Sequence, residues 1–188
     1  MRTRKTVVAL VGLPSSGKTI LGSFLELSGF RFLTEVAEAF RLTGVTVGEK
    51  ATSDFDRKVM QIEFRRDKCF LRSNNTVLIV ETWHPGNLAY AIARSSPVVG
   101  TYKSRFLSKA EKVRIRCIVL NISPNTSCLR SLKGEKPADN SLRFLEAVQR
   151  HMRAVIEEFG LVSVVIDASK RAEEMAFDAL KAIRAWVS

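Results

Sequence analysis

A phosphate-binding loop pattern near the start of the chain constrains its fold more than any other feature. Residues 12–19 read G-L-P-S-S-G-K-T, which fits G-x-x-x-x-G-K-[ST] without a gap. The apolar, β-branched run 6–11 before it predicts a buried strand, and residues 20–27 after it predict a helix. A strand, a glycine loop and a helix N-terminus together surround one anion with backbone N–H groups.

The same pattern assigns chemistry to individual side chains. Lys18 is expected to reach the β and γ phosphates of a nucleoside triphosphate, and Thr19 to offer its hydroxyl to a Mg²⁺ ion. We therefore expect ATP and Mg²⁺ as cofactors. The expected nucleotide-binding residues are Gly12, Pro14, Ser15, Ser16, Gly17, Lys18, Thr19 and Ile20.

Composition sets the class of protein without deciding its ligand. With 188 residues, of which 46% are hydrophobic, the chain is long enough for one globular domain with a substantial core. The net charge of +11 suits a polyanionic ligand, but nucleotide enzymes and nucleic-acid binders share that excess. No apolar run approaches the roughly 18 residues of a membrane helix. Cys69, Cys117 and Cys128 form no paired motif, which favours reduced thiols and a cytoplasmic location.

Strand and helix patterns alternate along the rest of the chain. Four further strands are predicted at residues 30–33, 76–80, 114–121 and 161–166. A long helix is predicted from Ser53 or Asp54 to about Arg72, another from Asn140 or Ser141, and a closing one at 172–187. The polar residues 123–140 are expected to form a loop-like lid. The prediction is one α/β P-loop NTPase domain, with a five-stranded parallel sheet, helices on both faces and a short lid.

Several segments carry a resemblance to a known family. The chain has no guanine-specificity T/N-K-x-D pattern, has no ABC-type signature and is too short for a second AAA+ domain. The segments compared are 27–35 (L-S-G-F-R-F-L-T-E), 77–91 (V-L-I-V-E-T-W-H-P-G-N-L-A-Y-A), 121–130 (N-I-S-P-N-T-S-C-L-R) and 164–169 (V-V-I-D-A-S). Together with the loop they resemble the small P-loop kinases, in particular thymidylate and deoxynucleoside kinases. One departure is Thr82-Trp83 after Glu81, where those kinases usually have arginine.

Phosphoryl transfer requires cations, Mg²⁺ and a carboxylate near the acceptor, and the chain offers candidates for each. Glu81 ends a central strand, where a carboxylate can hold Mg²⁺ or its waters. Glu35 ends the second strand and is a candidate general base or sugar anchor, with Glu38 as its substitute; an acid in a helix first turn is the alternative interpretation. Arg130 and Lys133 are expected in the lid, over the transferring phosphoryl group. Arg143 is a weaker candidate on the following helix.

The sequence constrains the identity of the acceptor substrate less than that of the phosphate donor. Gln61 and Arg65 share a helix face that either reads a base and clamps an acceptor phosphate or is a solvated basic face. The leading hypothesis is ATP-dependent phosphorylation of a nucleoside or nucleoside monophosphate. The alternatives are a kinase for a polynucleotide 5′-hydroxyl or a cofactor precursor, and a non-catalytic ATP-binding switch, which the missing arginine suggests. The expected partner is a small nucleoside or nucleotide acceptor ahead of a nucleic acid, with no membrane; a homodimer is left open.

Overall fold

A five-stranded parallel sheet forms the centre of the molecule. The computed structural model describes residues 4–44, 46, 48–132 and 138–187. The strands lie in the order β2-β3-β1-β4-β5, and every neighbouring pair is parallel. Their bounds are β1 Thr6–Gly12, β2 Arg31–Leu33, β3 Val77–Glu81, β4 Arg114–Asn121 and β5 Val162–Asp167. The predicted α/β fold with a five-stranded parallel sheet is confirmed. The carboxyl ends of the five strands therefore lie at the same edge of the sheet.

Helices cover the sheet and fill the connections between the strands. Their bounds are α1 Lys18–Leu27, α2 Val36–Leu42, α3 Ser53–Arg72, α4 Trp83–Ala93, α5 Val99–Ala110, α6 Pro124–Ser131, α7 Asp139–Glu158 and α8 Ala172–Val187. A short 3-10 turn lies at Gly48–Lys50. Thr52 caps α3, because its hydroxyl accepts a hydrogen bond from the Phe55 amide at 3.3 Å. None of the helices in the described part of the chain has both the length and the hydrophobicity to cross a bilayer.

The segment expected to be a loop-like lid is partly helical. Residues 124–131 form α6, so the prediction of a loop there was wrong. Ser123 caps the helix, because its hydroxyl accepts a hydrogen bond from the Thr126 amide at 3.0 Å, and Pro124 occupies the first turn. These two helix-start signals have a stronger effect on the local structure than the polar composition of the segment. Residues 133–137 of the segment lie outside the described residues, and α7 begins at Asp139.

Close packing sets the position of α1 against the sheet. A β-carbon added at Gly22 would lie 2.1–2.5 Å from ring atoms of Phe32 on β2, so glycine permits this approach. Leu21 and Leu25 on the same helix are fully buried. The N-terminus of α1 is thereby held at the carboxyl edge of β1, where the glycine loop lies.

Candidate active site

The glycine loop connects β1 to α1 through backbone that other residues would distort. Gly17 has φ of 91° and precedes the first residue of α1. At Gly12 a β-carbon would meet the Leu120 carbonyl oxygen and the Ser16 hydroxyl, both at 2.8 Å. The loop therefore makes a tight turn over the sheet edge. The amide groups at the N-terminus of α1 point towards the concave side of this loop.

Lys18 places an ammonium group inside this loop, and Ser16 places a hydroxyl there. The Lys18 side chain is buried, and its Nζ donates hydrogen bonds to the carbonyl oxygens of Gly12 at 3.2 Å and Leu13 at 3.0 Å. No carboxylate pairs with it in the described structure. The buried Ser16 hydroxyl finds no hydrogen-bond partner among the described residues. A cation, an unpartnered hydroxyl and helix-start amides fit a phosphate group.

Thr19 and Glu81 meet across the loop. The Thr19 hydroxyl donates a hydrogen bond to Glu81 Oε1 at 2.8 Å, and Glu81 is buried at the end of β3. A hydroxyl and a carboxylate oxygen are ligands of the kind Mg²⁺ uses, with waters and substrate phosphates completing the shell. The described residues contain no cluster of three or more acidic, histidine or cysteine ligands. The donor set therefore fits Mg²⁺ brought with a nucleotide rather than an all-protein metal cage.

Glu35 completes a group of charged side chains at this edge. It precedes α2 and keeps partial access to the cleft. Burial raises the pKa of the Glu35 carboxyl above its ordinary value; the Lys18 ammonium opposes the rise and the Glu81 carboxylate adds to it. Glu35, Lys18 and Glu81 therefore interact electrostatically within one site.

These groups open into a cleft of about 950 Å³, a size typical of small-ligand sites. Pro14, Ser15, Lys18 and Thr19 line one side, which we call the loop wall. The facing residues Phe55, Asp56, Asn87, Tyr90 and Arg94 form what we call the opposite wall. Glu35, Glu38 and Glu81 also line the cleft.

The cation of the opposite wall is already paired. Arg94 donates from Nε and Nη2 to the Asp56 carboxylate, and from Nη1 to the Gly48 carbonyl oxygen at 2.7 Å. Its guanidinium carbon lies 5.6 Å from the ring centre of Tyr90 and 5.8 Å from that of Phe55. The opposite wall therefore presents aromatic surface and a neutralised ion pair.

A buried polar network supports the start of α4 behind this wall. Trp83 Nε1 donates to Asp67 Oδ1 at 3.0 Å, and His84 Nε2 lies 2.8 Å from Asp67 Oδ2. The Tyr102 hydroxyl lies 3.0 Å from His84 Nδ1. Burial lowers the pKa of His84, against the opposing effect of Asp67, so the neutral ring donates to Asp67 and accepts from Tyr102. His84 is therefore held in the core by two hydrogen-bond partners.

The network borders an unusual turn. Thr82 and Trp83, which directly follow Glu81, have positive φ values of 62° and 46°. Such backbone is costly for residues other than glycine and needs support from its surroundings. Trp83 is buried and held by Asp67, so it packs in the core and does not stack on a ligand.

Glu63 is a second buried carboxyl group behind the opposite wall. It is fully buried on α3, and its Oε1 accepts from Asn87 Nδ2 at 3.4 Å, while Arg66 Nη1 lies 3.5 Å away. Burial raises the pKa of Glu63 to about 8. Oε2 has no hydrogen-bond partner among the described residues.

Arg130 and Arg143 lie outside the cleft lining. Arg130, on α6, donates from Nη1 to the Ala168 carbonyl oxygen at 3.1 Å and lies 3.4 Å from that of Ser15. It therefore braces the phosphate loop from outside. Arg143 is exposed on α7, and Lys133 lies outside the described residues. Ile20 is 56% exposed on α1 and does not line the cleft.

Gln61 and Arg65 are not brought to the site. Both are exposed on α3, whereas the residues of α3 that line the cleft are Phe55, Asp56 and Val59. The structure places both outside the cleft lining, because helical periodicity separates two faces without saying which one meets the cleft. Asp56, Arg94 and Asn87 were missed. The spacing of acids along the buried side of α3 was a signal for Asp56, and no local pattern marked Asn87 or Arg94.

Comparison with known proteins agrees with this architecture. No protein-family model and no curated protein sequence matches the chain. A deoxyadenosine kinase structure from M. mycoides with products dCMP and dCDP has a TM-score of 0.67 and 13% identity, covering 95% of this chain and 99% of that one. The same enzyme with bound dATP gives 0.59 and 13%, with the same coverage.

The YorR protein from Bacillus subtilis, in complex with phosphorylated GDP, gives a TM-score of 0.64 and 14% identity, with 95% of each chain covered. These likenesses extend over nearly the whole chain at very low identity, so they concern the fold. The predicted likeness to deoxynucleoside kinases is confirmed at that level. The chain has the P-loop nucleoside-kinase fold.

Proposed function

We propose that the protein transfers the γ-phosphoryl group of ATP to a nucleoside or a nucleoside monophosphate. The observation that carries the proposal is the meeting of Lys18, the Thr19–Glu81 pair and Glu35 in one cleft. Phosphoryl transfer needs charge neutralisation and positioning more than covalent chemistry by the protein. This set of residues offers both, beside enough space for a second ligand.

Each of these residues has a defined role in the proposed transfer. The amides at the start of α1 and the Lys18 ammonium bind the β and γ phosphates. Thr19 and Glu81 would hold Mg²⁺, which neutralises charge on those phosphates when bound. The acceptor oxygen attacks the γ phosphorus, the bond to the bridging oxygen breaks and ADP leaves. When the acceptor is a hydroxyl, the Glu35 carboxylate takes its proton.

Within this proposal, the opposite wall favours an uncharged nucleoside over a monophosphate. Apart from Lys18, the described cations that line the cleft are Arg94, which is bound to Asp56, and Arg41, which lies 2.5 Å from Glu38. Phe55 and Tyr90 offer flat apolar surface for a base. The neighbouring structures with dCMP, dCDP, dATP and phosphorylated GDP support a nucleotide-sized ligand.

A transfer assay tests the proposal. The protein is incubated with radiolabelled ATP and Mg²⁺, and with nucleosides, nucleoside monophosphates or a short 5′-hydroxyl oligonucleotide. We expect label on at least one nucleoside and weaker transfer to monophosphates. Label on the oligonucleotide alone would support a polynucleotide kinase. ATP binding without transfer to any acceptor would support the switch alternative, which the Thr82-Trp83 departure favours.

A further inference from the structure

Helix α3 separates its charges between two faces. Its acids Asp56, Glu63 and Asp67 are all buried. Glu63 and Asp67 contact Asn87 and His84 of α4, and Asp56 contacts Arg94, which follows the last residue of α4. The carboxylates therefore point into the protein and contribute little to the potential outside. Asp54, at the first turn, is the one exposed acid of this helix and is paired with Lys58 at 2.8 Å.

Beyond that first turn every exposed charged residue of α3 is a cation, and Gln61 and Cys69 are the exposed uncharged residues. We call Arg57, Arg65, Lys68 and Arg72 the basic stripe; all four are exposed, and none has an acidic partner within salt-bridge distance among the described residues. Their spacing keeps them on one side of the helix. At 1.5 Å per residue the stripe is about 22 Å long, which spans several phosphates of an extended strand.

The surroundings do not neutralise the stripe. Arg105 on α5 places its guanidinium 4.5 Å from the ring centre of Phe64, which adds an exposed cation beside α3. From residue 57 to 116 the sequence has thirteen lysines and arginines and four acids. Three of those acids are buried, which leaves Glu111 as the exposed one. A positive field of this extent attracts polyanions.

We infer that the basic stripe binds the phosphate backbone of a nucleic acid. Charge complementarity carries the inference, and three of the four cations are arginines, which pair with phosphate oxygens in two-pronged geometry. An anionic membrane fits less well, because α3 exposes no large hydrophobic side chain for insertion into a bilayer. The surface lies outside the cleft lining, so the inference goes beyond the proposed function and does not depend on it.

A salt titration with a matched control tests this surface. Binding of the full chain to a labelled single strand of about 20 mixed nucleotides is followed by fluorescence anisotropy from about 50 to about 200 mM salt. The stripe variant combines Arg65→Gln, Lys68→Gln and Arg72→Gln. The control combines Arg150→Gln, Lys181→Gln and Arg184→Gln, three exposed cations on α7 and α8, so both variants lose the same net charge.

We expect the unmodified chain to bind with a steep salt dependence. The stripe variant should reduce the slope of log affinity against log salt by about 2, because each single-strand phosphate contact contributes about 0.7. The control should keep the slope and most of the affinity. Equal losses in both variants, or no salt-dependent binding, would overturn the inference. Binding to phosphatidylserine vesicles but not to the oligonucleotide would overturn it in favour of a membrane. Thermal unfolding of both variants verifies that they are folded.

Discussion

The two walls of the cleft are encoded in different ways. The loop wall comes from one stretch of eight residues, 12–19, joined by Glu81 from the neighbouring strand. The opposite wall is assembled from α3 and α4, and its central pair, Asp56 and Arg94, is 38 residues apart. Phosphate binding uses backbone amides that a local turn can supply, whereas an acceptor surface requires side chains from separate elements. Variants of each wall should therefore differ in which step they affect.

The largest loss is expected from Lys18→Ala on the loop wall. The ammonium faces the phosphates of the proposed donor, and removing it takes away charge stabilisation where negative charge develops. Turnover should fall by at least about 10²–10³-fold, in the range measured when a charge-stabilising donor is removed. Initial rates of transfer measure this, with Lys181→Ala on exposed α8 as the control. Undiminished turnover in the Lys18 variant would refute the loop's proposed role.

Glu81→Gln should separate catalysis from binding. The amide keeps the size of the side chain but removes the charge proposed to hold Mg²⁺ with Thr19, so turnover should fall about 100-fold, or about 2.7 kcal/mol. ATP affinity should change by less than about threefold, under about 0.7 kcal/mol. Because Thr19 and Glu81 are in contact, Thr19→Ala should add less to Glu81→Gln than it costs alone. Turnover within about a factor of two of the unmodified protein would leave Glu81 as a strand-end acid.

Glu35→Gln tests whether the Glu35 carboxylate in the cleft accepts the proton of a hydroxyl acceptor. A general base works only when deprotonated, and burial raises the pKa of Glu35, so the rate should rise with pH through that pKa and then level off. The variant should be slower by about 10²-fold, at the low end of general-base effects, and should lose this rise. The pH–rate profile with a nucleoside acceptor measures both effects. Glu38→Gln is the control, since Glu38 lines the same cleft and is paired with Arg41; an equal loss there would transfer the role to Glu38.

The strands and the loop were predictable because their signals are local. The apolar, β-branched runs of β1 and β4 are buried in a parallel sheet, and their predicted bounds match to within one residue. Helix α4 was not identified, because it is buried nearly all round and contains Pro85 and Gly86, which removes the polar face that reveals a helix.

The opposite wall was not predictable for a different physical reason. Asp56, Glu63 and Asp67 are acids on the buried face of α3, where an uncompensated charge would be costly. Their partners Asn87 and His84 come from α4 and Arg94 directly follows it, and no local spacing links the two sets. Helical spacing identifies the exposed cations of α3 as one face, but this face points away from the cleft.

Asp67→Asn should loosen the support behind the opposite wall. Asp67 accepts hydrogen bonds from Trp83 and His84, and an amide cannot accept both equally well, so the free energy of unfolding should fall by about 1–3 kcal/mol. Urea unfolding measures the loss. The control is Asp54→Asn on the same helix, whose solvent-screened pair with Lys58 should contribute little to stability. Equal effects of the two variants would show that the network adds no stability.

The effect expected from Glu63→Gln depends on pH. The pKa of Glu63 is about 8 in the folded protein and returns to its ordinary value near 4.5 on unfolding. At pH values between these two pKa values, Glu63 is protonated in the folded chain and ionised in the unfolded chain. Stability therefore falls as pH rises, by at most about 1.4 kcal/mol per pH unit. Glutamine resembles the protonated carboxyl group, so the variant should lose this decline and gain relative to the unmodified protein towards pH 8.

Urea unfolding of both proteins across this pH window measures the difference, with the exposed Glu146→Gln as the control. A difference that grows with pH for Glu63→Gln, and stays flat for the control, would attribute the pH dependence to this carboxyl group. Parallel curves would mean that Glu63 is ionised in the folded protein, with Arg66 and Asn87 compensating the buried charge. The opposite wall would then rest on a buried anion instead of a neutral acid. A bound nucleoside would face more negative charge there, and the preference for an uncharged acceptor over a monophosphate would become stronger.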